Sequence, residues 1–399
     1  MFIAGEPSGD VLAAELVHAL RVESRSAPPA TTTDLQPLRA GLAPQFLGAG
    51  GAQMQAAGVE LALDLTAHAV VGLGEALQGY LKFRRLFAQM LRLALERQPE
   101  VIVLVDFSGF NRRFAAAVRR YVHARSGPFQ NWRPKMVYYV SPQVWASRPG
   151  RASTLARDVD LLLSIFPFEK AWYAQRVPQL RVEFVGHPLV DRYGAPTRRP
   201  AHPERQAQPP LVLLLPGSRD AELRRHLPVL LPAAQQLAAR HPVRFRMILP
   251  NETLVTRTKP LVQSLEFEIQ IQAGGLAEAL AEADLALAKS GTITLECAAF
   301  GVPAVVFYKT SWPTYLAGRL GVTVKYLAMP NLLAGEAVFP ELIQNAATAD
   351  NLTREALDLL TNTTRRESVQ AKLARVVSSL GPPGAAQRAA RAILSLLPP

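Results

Sequence analysis

The chain of 399 residues contains one cysteine, Cys297, so no internal disulfide and no multi-thiolate metal site can form, which suits a reducing compartment. No apolar run reaches the length of an ordinary membrane-spanning helix. Aromatics make up 7% and charged residues 19%, which argues against a disordered chain or a coiled coil. Met1-Phe2-Ile3-Ala4 runs straight into Gly5 and Glu6 without a basic leader or a long apolar core; no signal peptide is expected, and the simplest location is the cytosol. There is no Walker pattern, no G-x-G-x-x-G after the first strand, no nucleophile-elbow or Ser-x-x-Lys element and no His pair at metal spacing. These absences argue against an ATPase or a standard NAD enzyme.

Acid is also scarce: 32 Asp+Glu stand against 44 Lys+Arg, a net charge of +12. Nucleic-acid binders gather such charge on one face and interleave aromatics. Here the short clusters, such as Arg112-Arg113, Arg224-Arg225 and Arg365-Arg366, lie far apart. The excess fits an anionic membrane surface, phosphorylated substrates or simply a solvated basic exterior, and no nucleic-acid partner is predicted.

Short Val/Ile/Leu runs bounded by turn residues alternate with helical patterns, as a parallel sheet buried on both faces requires. Predicted strands are Gln45–Leu47, Val101–Val105, Met136–Val140, Leu161–Ile165, Val182–Val185, Leu211–Leu215, Phe245–Leu249, Phe267–Ile271, Leu285–Ala288 and Ala304–Tyr308. The class is α/β. Tyr193–Pro210 carries five prolines and almost no apolar periodicity, the signature of a linker. Ser24–Pro44 reads as a surface insertion. The expected layout is an N-terminal Rossmann-like domain over 1–192, a linker over 193–210, a second such domain over 211–380 and a C-terminal helix within 381–399 packing back on the first domain. Two facing doubly wound domains would place a ligand crevice at the carboxyl ends of their strands.

Three glycine turns follow strands and open helices, where free backbone N–H groups attract anions. These are Gly5 to Asp10, Gly217-Ser218-Arg219, and Ser290-Gly291-Thr292. Gly217 allows close backbone approach, Ser218 brings a hydroxyl, and Arg219 can clamp a phosphate with two N–H groups. Glu296, about one helical turn after Gly291, suits ribose hydroxyls, or else simply favours the helix dipole. Asp106 ends an apolar strand, where desolvation would raise its pKa and suit it to general-base work; an Asp there also caps helices. The aromatic turn Tyr138 to Ala146 fits either sugar stacking or a core. His187 precedes the linker and faces the crevice or holds the hinge. Asp158-Val159-Asp160 looks like a metal-binding D-x-D but precedes a buried strand, so no metal is predicted.

Taken in order, AGEPSGD at 4–10, GAGGAQMQAAGVE at 48–60, VGLGEAL at 71–77, YYVSPQVWA at 138–146, FPFEKAWY at 166–173 and FVGHPLVD at 184–191 form a specific series. LLPGSRDAE at 214–222, SGTITLE at 290–296 and MPNLLAGEAVFPELIQ at 329–344 continue it. The series resembles the lipid-A-disaccharide synthase family over nearly the whole chain. That resemblance implies an inverting GT-B glycosyltransferase that joins UDP-2,3-diacylglucosamine to 2,3-diacylglucosamine 1-phosphate without a cofactor. It implies Asp106 as the catalytic carboxylate. Gly217, Ser218, Arg219, Ser290, Gly291, Thr292, Glu296 and Asn331 fall on its nucleotide side. Glu6, Ser8, Gly9, Asp10, Glu75, Asn111, His187 and Gln344 fall on its acceptor side or elsewhere in the crevice. It also implies a peripheral protein at the cytoplasmic face of the inner membrane, with an oligomer possible. The segment Val70–Arg97, apolar residues beside Lys82, Arg84, Arg85 and Arg92, suits an anionic interface or an ordinary surface helix.

The chain departs from the family pattern in three places. Gly109 replaces a second acid after Asp106, and Ser147 replaces a second Trp. The first strand is clipped to Phe2–Ala4, which suggests a late start codon or a weakened sheet edge. Another UDP-sugar enzyme of the same fold, such as a UDP-N-acetylglucosamine epimerase or a transferase to a different acceptor, and a non-catalytic binding relative remain the competing readings.

Overall fold

The computed structural model describes residues 1–26, 44–66, 76–125, 127, 131–194, 208–263 and 265–398. Most of the expected insertion, most of the proline-rich linker and Glu75 lie outside them. The chain divides into two compact units, Met1–Asp191 with Gly381–Pro399, and Arg192–Leu380.

In the first unit seven parallel strands form one sheet: β1 (Phe2–Ala4), β2 (Leu47–Gly50), β3 (Glu60–Asp64), β4 (Val101–Val105), β5 (Lys135–Tyr139), β6 (Leu161–Ser164) and β7 (Arg181–Phe184). Their order is β3-β2-β1-β4-β5-β6-β7. The apolar runs have no polar face because helices cover both sides, so Ile102 to Val105 and Leu161 to Leu163 are all buried. β1 is not a weakened edge. It pairs with β2 on one side and β4 on the other, and three residues suffice because Phe2, Ile3 and Ala4 are buried on every side. The helix Ala385–Leu394 packs against the helix Pro7–Ser26. Asp191 caps it by accepting the Gly384 and Ala385 N–H groups, and Arg388 reaches the Val185 carbonyl.

The second unit holds six parallel strands: β8 (Leu211–Leu215), β9 (Arg244–Leu249), β10 (Ile269–Ala273), β11 (Leu285–Lys289), β12 (Ala304–Tyr308) and β13 (Glu341–Ile343). The order β10-β9-β8-β11-β12-β13 is that of a doubly wound nucleotide-binding sheet. Its strand order reverses between β8 and β11, as it does between β1 and β4 in the first unit. Such switch points are where the outgoing loops part and leave room for a ligand.

The helix Ala76–Arg97 is amphipathic, but from Phe83 onward its apolar face is not offered to a membrane. Phe83, Leu86 and Phe87 pack on the core of the first unit, and Met90 and Ala94 are buried in it. Burying that stripe against the unit's own core removes the reason to place this part of the helix in lipid. The side chains of residues 76–82 lie outside the described set.

Candidate active site

The motifs read from the sequence converge on the two switch points. In the first unit Gly5 and Glu6 leave β1 while Asp106 leaves β4. Asp106 and Phe107 both hold left-handed backbone, with φ of 47° and 44°, and Val140 after the adjacent β5 has φ of 61°. For residues with a Cβ this costs free energy, of order 1–3 kcal/mol each, and such strain clusters where side chains are aimed for function. The surroundings hold it in place. The Asp106 N–H donates to the Tyr139 carbonyl at 3.0 Å. The Asp106 carbonyl accepts from Asn111 Nδ2 at 2.9 Å and from the Tyr138 hydroxyl at 2.7 Å. Gly5 is required here because a Cβ on it would run into the Phe107 ring, which stacks on Phe110.

The Asp106 carboxyl is half-buried, and the bonds to Tyr138, Tyr139 and Asn111 hold its backbone rather than its carboxyl. Burial raises its pKa first and the negative charge of Glu6 raises it further, against a lowering contribution from the Phe107 N–H. A carboxylate made more basic at a strained strand end is equipped to take a proton.

In the second unit a cleft of about 320 Å³ opens at the β8/β11 switch, lined by Gly217, Ser218, Lys289, Gly291, Thr292 and Glu296 over an apolar floor that includes Ile248 and Leu249. Gly217 has φ of 128°, and a Cβ there would strike the Glu222 carboxylate. Burial pushes the Glu222 carboxyl up, but hydrogen bonds from Lys289 and the Ser218 N–H outweigh it and hold the group below its ordinary value. Lys289 thus lines the cleft with its Nζ held on that carboxylate. His226, fully buried, braces the same turn through Nδ1 to the Pro216 carbonyl at 2.6 Å and accepts the Lys309 N–H on Nε2 at 3.3 Å. Burial lowers its pKa, the bonds to Pro216 and Lys309 acting in the opposite sense. The Glu296 carboxyl is raised by burial, with Arg192 and the Tyr193 hydroxyl pulling it back.

Other sequence candidates have their polar atoms engaged elsewhere. Both oxygens of buried Asp10 accept backbone N–H groups, from Gly51 at 2.7 Å, Gln53 at 2.9 Å and Met54 at 3.1 Å, so it caps the helix Ala52–Ala56. Asn331 is fully buried and makes four bonds, to Val338, Phe339 and Glu341. It folds the loop between Ala334 and β13, and no polar atom remains for a nucleotide. Gln344 pairs through Oε1 and Nε2 with both backbone groups of Thr310. His187 Nδ1 accepts the Leu189 N–H at 3.1 Å. Tyr138, Tyr139 and Trp145 are core residues rather than a stacking platform. The Arg219 side chain is exposed and outside the cleft lining, whereas Ser290 Oγ donates to the Leu327 carbonyl at 3.2 Å. Ser8 is exposed and Gly9 buried at the start of the first helix.

Lys289, Glu222 and His226 were not singled out from the sequence. Lys289 comes just before the Ser290-Gly291-Thr292 turn and Glu222 ends the LLPGSRDAE motif, but only pairing of β8 with β11 brings the two together. Asp160 in the D-x-D pins the start of β5, accepting the Met136 N–H and Arg119, both at 2.6 Å. Among the described residues no group of three or more His, Cys, Asp or Glu is placed to hold a metal ion.

A lipid-A-disaccharide synthetase family model matches residues 1–394. The chain belongs to that family. A lipid-A-disaccharide synthase from Geobacter sulfurreducens is 34% identical over 403 residues, spanning 100% of this chain and 97% of the relative. Another, from Solibacter usitatus, is 37% identical over 399 residues, covering 99% and 96%. Among solved structures, a UDP-GlcNAc 2-epimerase from Neisseria meningitidis bound to UDP-GlcNAc has a TM-score of 0.60 at 13% identity, over 99% of this chain and 98% of its own. At that identity the likeness shows the fold alone. Gly109, where the resemblance implied a second acid, is exposed, and a Cβ there would meet nothing within 4 Å.

Proposed function

We propose that the chain transfers a 2,3-diacylglucosaminyl group from its UDP donor to 2,3-diacylglucosamine 1-phosphate, releasing UDP and leaving a β-1,6-linked disaccharide 1-phosphate. The family match over 1–394 supports the reaction, and the observation that carries the residue assignment is Asp106, held in left-handed backbone with its basicity raised by burial and Glu6. In this reading Asp106 takes the proton of the acceptor 6-hydroxyl as its oxygen attacks the anomeric carbon. The bond from that carbon to the β-phosphate oxygen breaks in the same displacement, inverting the centre.

The departing diphosphate gains negative charge. The backbone of Gly217-Ser218 and Gly291-Thr292 would receive it, with Lys289 supplying a cation already oriented by Glu222. Glu296 would accept hydrogen bonds from the ribose, and the apolar floor would take the base. No helix among the described residues is long and apolar enough to cross a membrane. A peripheral placement at the cytoplasmic membrane face belongs to the same proposal, since both substrates carry acyl chains.

The test is to incubate the protein with both acylated sugars and follow products by mass spectrometry. Equal amounts of UDP and disaccharide phosphate are expected. Asp106→Asn should cut turnover by about 10²–10⁴-fold while leaving donor binding intact. UDP release without a disaccharide, or an epimerised UDP-sugar, would overturn the reading.

A further inference from the structure

Among the described residues, six large apolar side chains are well exposed, and four of them, Trp312, Leu316, Val322 and Leu327, fall within one short segment of the second unit. Scattered exposed apolar residues need no explanation, whereas a cluster does. Trp312, Leu316 and Arg319 are spaced one turn apart on the helix Trp312–Gly321 and share a face. Arg319 and Lys325 are exposed within the same segment. No aspartate or glutamate occurs from Cys297 to Gly335. The half-buried carboxylate of Glu341 touches the segment and is taken up by the Leu327 and Ala328 N–H groups, both at 2.9 Å, and by Asn331 Nδ2 at 2.8 Å.

The segment is tied at both ends to the turns of the cleft. At its start, the Lys309 N–H bonds to His226, which holds Pro216, and Thr310 is gripped by Gln344. At its end, the Leu327 carbonyl accepts from Ser290, next to Gly291 in the cleft lining. A basic, apolar ledge with no acid in its own sequence, and with the neighbouring Glu341 carboxylate taken up by N–H groups, is therefore tied to the turns that line the cleft.

We propose that this ledge docks the second unit on an anionic phospholipid surface. The proposal rests on the function above, in which the donor is a lipid whose diphosphate must reach the cleft while its chains stay in the bilayer. Trp312 suits the headgroup level, where an indole has both an apolar body and a polar N–H. Leu316, Val322 and Leu327 supply apolar area, and Arg319 and Lys325 are attracted by the negative surface potential. A second copy pairing through the same segment would satisfy the apolar part but would set cations against cations.

The experiment uses the full chain, a Trp312→Ser/Leu316→Ser variant and an Arg319→Glu/Lys325→Glu variant, floated with phosphatidylethanolamine/phosphatidylglycerol vesicles or with phosphatidylcholine vesicles. The parent should float with the anionic vesicles only. Each variant should partition about tenfold or more weakly, with UDP affinity unchanged and disaccharide formation retained in detergent micelles. Variants that float as the parent does, a parent that does not float, or a halved solution mass with flotation unchanged would each overturn the ledge; the last would assign it to a second copy. A parent that makes no disaccharide even in micelles would instead sink the catalytic reading, and flotation would still report on the ledge.

Discussion

Lys289 Nζ donates to Glu222 Oε1 at 3.0 Å, and the other oxygen of that carboxylate accepts the Ser218 N–H at 2.9 Å. One side chain thereby ties the turn after β8 to the end of β11 across the switch point. The cleft is preorganised by this bridge: the cation and the glycine turn cannot drift apart without breaking a charge-assisted bond. Lys289→Met should weaken UDP binding about tenfold or more, since a hydrogen bond to a charged group is worth roughly 1.5–3 kcal/mol. Calorimetric titration with UDP checks this; unchanged affinity would remove Lys289 from the diphosphate site.

The acid limb of the rate profile should report Asp106. Its raised pKa keeps the carboxyl protonated to a higher pH than usual, so kcat/KM falls as pH drops through that value. Burial is the larger cause and Glu6 the second. Glu6→Gln removes a repelling negative charge, eases deprotonation and should move the limb to lower pH. A limb that stays in place or moves upward contradicts the assignment.

Glu169 should make stability depend on pH. It is fully buried, accepts the Trp145 indole N–H at 2.9 Å, and burial pushes its pKa from 4.5 to about 7. The folded state therefore holds this proton more tightly than the unfolded chain does. The resulting stabilisation is complete below about 4.5 and is lost as pH rises through about 7. Glu169→Gln, neutral throughout, should flatten the pH dependence of Tm in that window by several degrees, read by thermal unfolding at a series of pH values.

Asn331 and Glu296 should separate cleanly. Asn331→Ala leaves buried backbone groups of Val338 and Phe339 unpaired, at about 1–3 kcal/mol each, and should lower Tm more than it changes UDP affinity. Glu296→Gln should do the reverse. A mutant pair showing equal effects in both measurements would mean that Asn331 also touches the ligand.

Gly109 has open space around it and sits in the first turn of the helix Ser108–Ala124, where an acid complements the dipole. Gly109→Asp should fold normally and raise Tm slightly, by about 1–4 °C. Its effect on turnover tells whether the second acid of the family pattern assists Asp106 or is dispensable.

The strand positions show what periodicity conveys. Val101–Val105, Leu211–Leu215 and Ala304–Tyr308 coincide with their apolar runs because burial on both faces demands uniform Val, Ile and Leu. β3, with alternating exposure, and β13, only three residues long, carry too weak a signal to stand out. The expected first strand of the insertion side, Gln45–Leu47, falls at Leu47–Gly50 because Gly-Ala-Gly has no apolar bulk to mark it.

Among site residues, Asp106 and the Gly217 and Gly291 turns could be located from local pattern, since a strand end followed by glycine and a helix is a local event. Asp10, Asn331 and Gln344 look like ligand-binding groups for the same local reason. Their partners, Gly51, Val338 and Thr310, come from elsewhere in the fold, and nothing at their own positions announces this.

The amino-acid order alone determined that the strands are parallel and doubly covered, that glycine turns close them, and that a carboxylate ends β4. Tertiary structure decided which turns share a switch point, that Lys289 meets Glu222, and which polar side chains are consumed by the backbone. The physical reason is range. Strand and turn formation depend on neighbours a few residues away, whereas a side chain's final partner depends on which distant segments packing brings against it.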